Sequence, residues 1–136
     1  MSQANVELVR GGYEMYERGQ LEEVAALFSF DAHMADAGGL GIAGTAAGRR
    51  VGPAGFLQAT ADAREAFDDY TVEAEDFIDA GDSVVVIARI SGRGRESGLE
   101  MEMRVAHLWT VRDGKVVSGD VYRTADEALE AARRQE

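Results

Sequence analysis

Four strand-like stretches follow one another through the second half of the chain, and no other feature restricts the fold as much. They read "YTVEAEDFI", "SVVVIARIS", "LEMEMRVAHLWTV" and "KVVSGDVYR". The separators "DAGD", "GRGRESG" and "RDG" are turn chemistry, rich in residues that tolerate tight reversals. Consecutive strands joined by such turns pair antiparallel. The sequence therefore predicts one antiparallel sheet from about residue 70 to residue 123.

Helical patterns precede the sheet. "SQANVELVRGGYEMYERG" puts Val6, Val9, Tyr13 and Tyr16 on one stripe, with Gly19 as the stop. "QLEEVAALF" predicts a short second helix with Leu21, Val24, Leu27 and Phe28 inward. "DAHMADA" alternates as a short strand, with Met34 and Asp36 on one side and His33 on the other. "GGLGIAGTAAGRRVGPAG" reads as a long mobile loop. Its Gly39, Gly41 and Gly44 have dinucleotide-fingerprint spacing but lack the strand–helix context that the fingerprint requires, so a lid or rim is the better reading. Pro53 suits the first turn of a third helix, "GPAGFLQATADAREAF". Thr124 and Glu127 form a capping box at the start of a C-terminal helix.

This order predicts an α+β fold in one domain spanning 1–136. Three N-terminal helices pack on a curved, mainly antiparallel sheet, with a short C-terminal helix. Curving the sheet around a helix makes a cone-shaped barrel whose mouth is a small-molecule cavity. Composition narrows the functions. The chain has no cysteine and only two histidines, which excludes thiolate chemistry and disfavours a metal cage, so no cofactor or metal is expected. A net charge of −11 argues against nucleic acid. No apolar run approaches the roughly 20 residues of a membrane span, and no secretory leader is visible, which predicts a cytoplasmic protein.

The oddity lies in the third strand stretch. Met101, Met103, Val105, His107, Trp109 and Val111 share one face, so a single imidazole stands in an apolar row. Desolvation there disfavours its charged form and lowers its pKa, while raising that of a buried carboxylate such as Asp36. Two groups so displaced and facing one cavity suit acid–base chemistry beside a carbonyl. The partner of His107 depends on the next turn. A two-residue Asp113-Gly114 hairpin sets His107 opposite Asp120, as an imidazole–carboxylate pair. A three-residue turn with a glycine bulge sets it opposite Gly119. The second register gathers Val117, Gly119 and Val121 beside the apolar row and puts Asp120 on the outer face.

"YERGQLEEVAALF" near the front and "AHLWTVRDGKVV" near the end resemble the nuclear transport factor 2-like superfamily, and within it the SnoaL-like proteins, over essentially the whole chain. The resemblance implies the cone-shaped fold and a set of activities that includes isomerases, cyclases, dehydratases and plain binding proteins. Compared with the superfamily's ketosteroid isomerases, Asp36 in "DAHMAD" matches the catalytic base. His107 stands at the position of the oxyanion donor. The helix-one tyrosine falls on Gly12, with Tyr16 one turn later. The acid of the polyketide cyclases falls on Val121.

The resemblance implies Asp36, His107 and Tyr16 as catalytic candidates, with Met34, Met103, Val105, Trp109, Val121 and Arg123 around the substrate. Two functions stand open: acid–base catalysis on a small apolar carbonyl compound, or a non-catalytic ligand-binding or dimeric module. A homodimer through the outer sheet face is expected, because Ala106, Leu108 and Tyr122 need cover there.

Overall fold

A computed structural model describes residues 2–35 and 50–135. Asp36 and the glycine fingerprint Gly39–Gly44 lie outside the described residues. Helix α1 spans Ser2–Glu17. It ends where Gly19, at φ +78°, donates its N–H to the Tyr16 carbonyl at 3.0 Å. Only the left-handed conformation closes a helix this way, and glycine adopts it without a Cβ penalty. A five-residue α2, Leu21–Ala25, leads into β1, Phe28–Ala35. Phe28 was expected at the inner end of the second helix and instead opens the strand. A short apolar run satisfies either periodicity, and pairing with Val116 decides it.

After β2, Arg50–Val51, come α3, Gly52–Ala66, and the long strands β3, Phe67–Ala80, and β4, Ser83–Gly94. Strand β5 spans Glu100–Arg112, β6 spans Lys115–Tyr122, and α4 spans Ala125–Arg134. The six strands form one sheet in the order β2-β1-β6-β5-β4-β3. All pairs are antiparallel except β1 with β6, which puts the first strand beside the last. Helices α1 and α3 lie across the inner face, over β3, β4 and β1. The inner core runs through Val84, Val86, Ala88 and Ile90 of β4, each essentially without solvent contact.

The β5–β6 hairpin follows neither register expected of it. Asp113 and Gly114 have φ of 53° and 75° and make a two-residue turn, with Arg112 opposite Lys115. Positive φ at both central positions matches the right-handed twist of the strands. A bulge then intervenes between Thr110 and Val111, so that Thr110 pairs with Ser118 and His107 with Val121. The slip runs opposite to the one expected from a three-residue turn. It still leaves Gly119 and Val121 on the side of His107, and it sets Asp120 opposite Leu108. His107 and Asp120 are therefore on opposite faces and do not pair across the ladder.

The outer face also differs from expectation. Ala106 and Leu108 are buried, but under Ala128, Ala131 and Ala132 of α4 in the same chain. The cover anticipated from a second copy is supplied internally. Thr124 Oγ1 accepts from the Glu127 N–H at 3.1 Å, as the capping box predicts, and Glu127 returns the bond to the Arg123 N–H at 3.2 Å. The rest of that face, on β3, β4 and β5, carries exposed pairs such as Arg89–Glu73 at 2.9 Å and Arg104–Glu75 at 2.6 Å. Among the described residues, no helix is long and apolar enough to cross a membrane.

Candidate functional site

A cavity of about 170 Å³ opens between α1, α3 and the inner face of the sheet. Its walls are almost wholly apolar, with Val9, Met34 and Phe56 among them. Phe28 stacks on Phe56 with ring centres 5.1 Å apart and meets the edge of Trp109 at 5.9 Å, forming an aromatic floor. The Trp109 ring lies flat over its β6 partner, Gly119. A Cβ at 119 would fall inside the indole, so glycine is required there for Trp109 to take its place.

Against this background one polar group stands out. The Trp109 Nε1–H donates to the Tyr13 hydroxyl at 2.8 Å, and that hydroxyl lies 2.5 Å from His107 Nδ1. With the indole N–H on its oxygen, the phenol proton has a partner only if it is directed at Nδ1, which makes Nδ1 the acceptor. His107 then carries its own proton on Nε2, an assignment that follows from the hydrogen-bond pattern. Burial depresses the imidazole pKa to about 4, so His107 is neutral near pH 7. Burial also pushes the Tyr13 phenol well above its ordinary value, with the Trp109 bond opposing and Tyr16 reinforcing the shift. Nε2 has no hydrogen-bond partner among the described residues and is not sealed off. The chain thus presents one neutral N–H donor, held from behind, to an apolar hollow.

Of the residues expected at the site, His107, Tyr16, Met34, Trp109 and Val121 line this cavity together. Met103 and Val105 share the inner face but pack beyond it, against Ala88 and Ile90. Arg123 is exposed beside the start of α4, away from the hollow, because β6 ends at Tyr122 and its alternation ends with it. Asp36 falls outside the described residues. Tyr13, which sequence reasoning assigned only to packing, is the tyrosine that holds His107. Tyr16, one turn on, lines the cavity without touching the imidazole. The available signal was that His107 and Trp109 share one strand face, so that the buried indole N–H requires an acceptor. Among the described residues, no group of three His, Asp or Glu side chains converges as metal ligands would.

The family model of the SnoaL-like domain matches residues 9–119. Solved structures agree with it. A nuclear transport factor 2-like protein from Burkholderia thailandensis is 24% identical, with a TM-score of 0.79 over 96% of each chain. A Catenulispora acidiphila protein described as having a ketosteroid isomerase-like fold, in complex with trimethylamine, is 18% identical, with a TM-score of 0.67 over 93% of this chain and 92% of that one. A candidate polyketide cyclase from Sinorhizobium meliloti is 21% identical, with a TM-score of 0.66 over 85% of this chain and 93% of its own. At these identities the likeness establishes the fold alone. A search of curated proteins finds no match.

Proposed function

The chain belongs to the SnoaL-like domain family, and from that premise we propose that it is a small-molecule pocket protein performing acid–base chemistry on a small, mainly apolar carbonyl compound. The observation that carries this reading is the setting of His107: Nδ1 is held by Tyr13, and the imidazole lines an apolar cavity. A carbonyl oxygen is the acceptor that such a donor fits. The size also suits, since an engineered hollow of about 150 Å³ accommodates benzene.

When a base removes a proton from the carbon beside the carbonyl, negative charge builds on the oxygen. A fixed donor in a dry site stabilises that charge without reorganising. Neutral imidazole can do this without transferring its own proton. Asp36, one residue beyond β1, is the base in this proposal; Met34, two residues before it, already lines the cavity. Isomerisation, cyclisation and dehydration all begin with such a proton removal. A second reading shares the same observation. A donor that holds an oxygen without moving a proton serves a non-catalytic binding module equally well.

Deuterium exchange distinguishes the two. With cyclohexanone in D₂O, the enzyme reading predicts accelerated exchange at the α-carbons. Asp36→Asn and His107→Leu should each slow it by about 100-fold or more, while cooperative melting shows that both variants remain folded. Binding without exchange supports the non-catalytic module. If both variants chiefly lose stability, the two residues are structural and the reading fails.

A further inference from the structure

His107 is not the only polar group in the cavity wall. The phenols of Tyr16 and Tyr70 also line it. Neither hydroxyl has a hydrogen-bond partner among the described residues, and neither oxygen is closed off from open space. Tyr70 shares the inner face of β3 with Val72, two residues on, and both line the cavity. The register with β4 shifts between Asp68 and Thr71, and Asp69 sits at φ +53°. Aspartate tolerates this conformation better than most residues, but it is still uncommon outside glycine. Across the ladder Gly92 makes room, because a Cβ there would lie 3.1 Å from the Phe67 Cβ and 3.4 Å from the Tyr70 Cα. The Tyr70 ring stacks on Phe67 at 5.9 Å, which fixes its direction.

Tyr16 follows Tyr13 by three residues, so it lies about 4.5 Å further along the same face of α1. Tyr70 is close enough to Tyr16 for the ionisation of one to oppose that of the other. Burial raises the pKa of both phenols, and each remains a protonated donor that can also accept. Two phenol hydroxyls in an otherwise apolar wall offer a ligand oxygen the hydrogen bonds that the rest of the cavity lacks.

Resting on the pocket reading above, we propose that Tyr16 and Tyr70 form a second polar pole of the site and select ligands with two oxygens: a carbonyl for His107 and a hydroxyl or second carbonyl about one helical turn away. The preferred class is a hydroxylated or dioxygenated ring compound, with its apolar body against Phe28, Phe56 and Trp109.

Trp109 is the only tryptophan of the chain and lines the cavity, so its fluorescence reports occupancy. The test compares acetophenone, which offers one oxygen, with 4-hydroxyacetophenone, which adds a second at the opposite end. The wild-type protein should bind the hydroxylated ring about tenfold more tightly. Tyr70→Phe and Tyr16→Phe should each bring the ratio to within about twofold. Both variants keep their rings, and unaltered melting curves establish that they fold. If acetophenone binds through His107 and the added hydroxyl gives no advantage, or if both phenylalanine variants keep it, the second pole is refuted alone. If acetophenone fails to bind, or binds His107→Leu as tightly as the wild type, the pocket reading falls and this one falls with it.

Discussion

Strand β5 carries a polar cluster on each face, and the two are built on opposite plans. On the outer face, Thr110 Oγ1 lies 3.0 Å from Ser83 Oγ, and both hydroxyls donate to Gln135 Oε1, at 3.1 and 3.5 Å. Thr110 and Ser83 are buried, and the cluster pins the end of α4 to the sheet. It is closed, with every hydroxyl partnered inside the protein. On the inner face, Trp109, Tyr13 and His107 form a chain that ends in an N–H with no partner among the described residues. One network finishes within the fold and the other finishes in a cavity. A buried polar group that the protein itself satisfies is architecture, whereas one aimed into an apolar hollow points to a ligand.

Acid should separate the two most strongly. His107 has a folded pKa of about 4 against the ordinary 6.5, so the unfolded chain takes up the proton first. Its contribution is fully present above about pH 6.5 and is lost as pH falls towards 4, by about 3 kcal/mol in total. Subtracting the stability–pH curve of His107→Leu from that of the wild type should isolate this loss. A difference curve flat between pH 4 and 6.5 would show that the imidazole is not desolvated. The closed cluster predicts a smaller and purely structural effect. Thr110→Val should cost about 1–2 kcal/mol in denaturant unfolding and leave acetophenone affinity untouched. A variant that unfolds normally but loses ligand would mean that the outer cluster shapes the cavity too.

The sheet was legible in the sequence because β3 to β6 alternate in the period that one buried face requires, with turn residues between them. The ends of α2 and β1 were not, since Leu27 and Phe28 fit either pattern until a partner strand fixes one. The hairpin shows a subtler limit. The sequence left two turns open, and its apolar pattern favoured the three-residue one. The two-residue Asp113-Gly114 turn forms instead, and a bulge between Thr110 and Val111, which no local residue marks, then shifts the register. Side-chain parity survived at His107, Gly119 and Val121, but the bulge puts Val116 rather than the expected Val117 on the inner face. The partner of His107 could not be read in advance. Tyr13 and Tyr16 lie on the same helical stripe, and only the crossing of α1 over the sheet decides which hydroxyl meets the imidazole. Tyr70 alternates with Val72 on one face of β3, and only the packing of the helices over that face makes it a cavity residue.

The central claim is that His107 is a neutral donor, fixed from behind by Tyr13. Nitrogen-15 NMR of the two histidines, recorded from pH 4 to 8, reads it directly. The account predicts that His107 carries its proton on Nε2, stays neutral down to about pH 5, and changes tautomer when Tyr13 is replaced by phenylalanine. A His107 resonance that takes up its proton near the ordinary 6.5, or one protonated on Nδ1 in the wild-type protein, would contradict it.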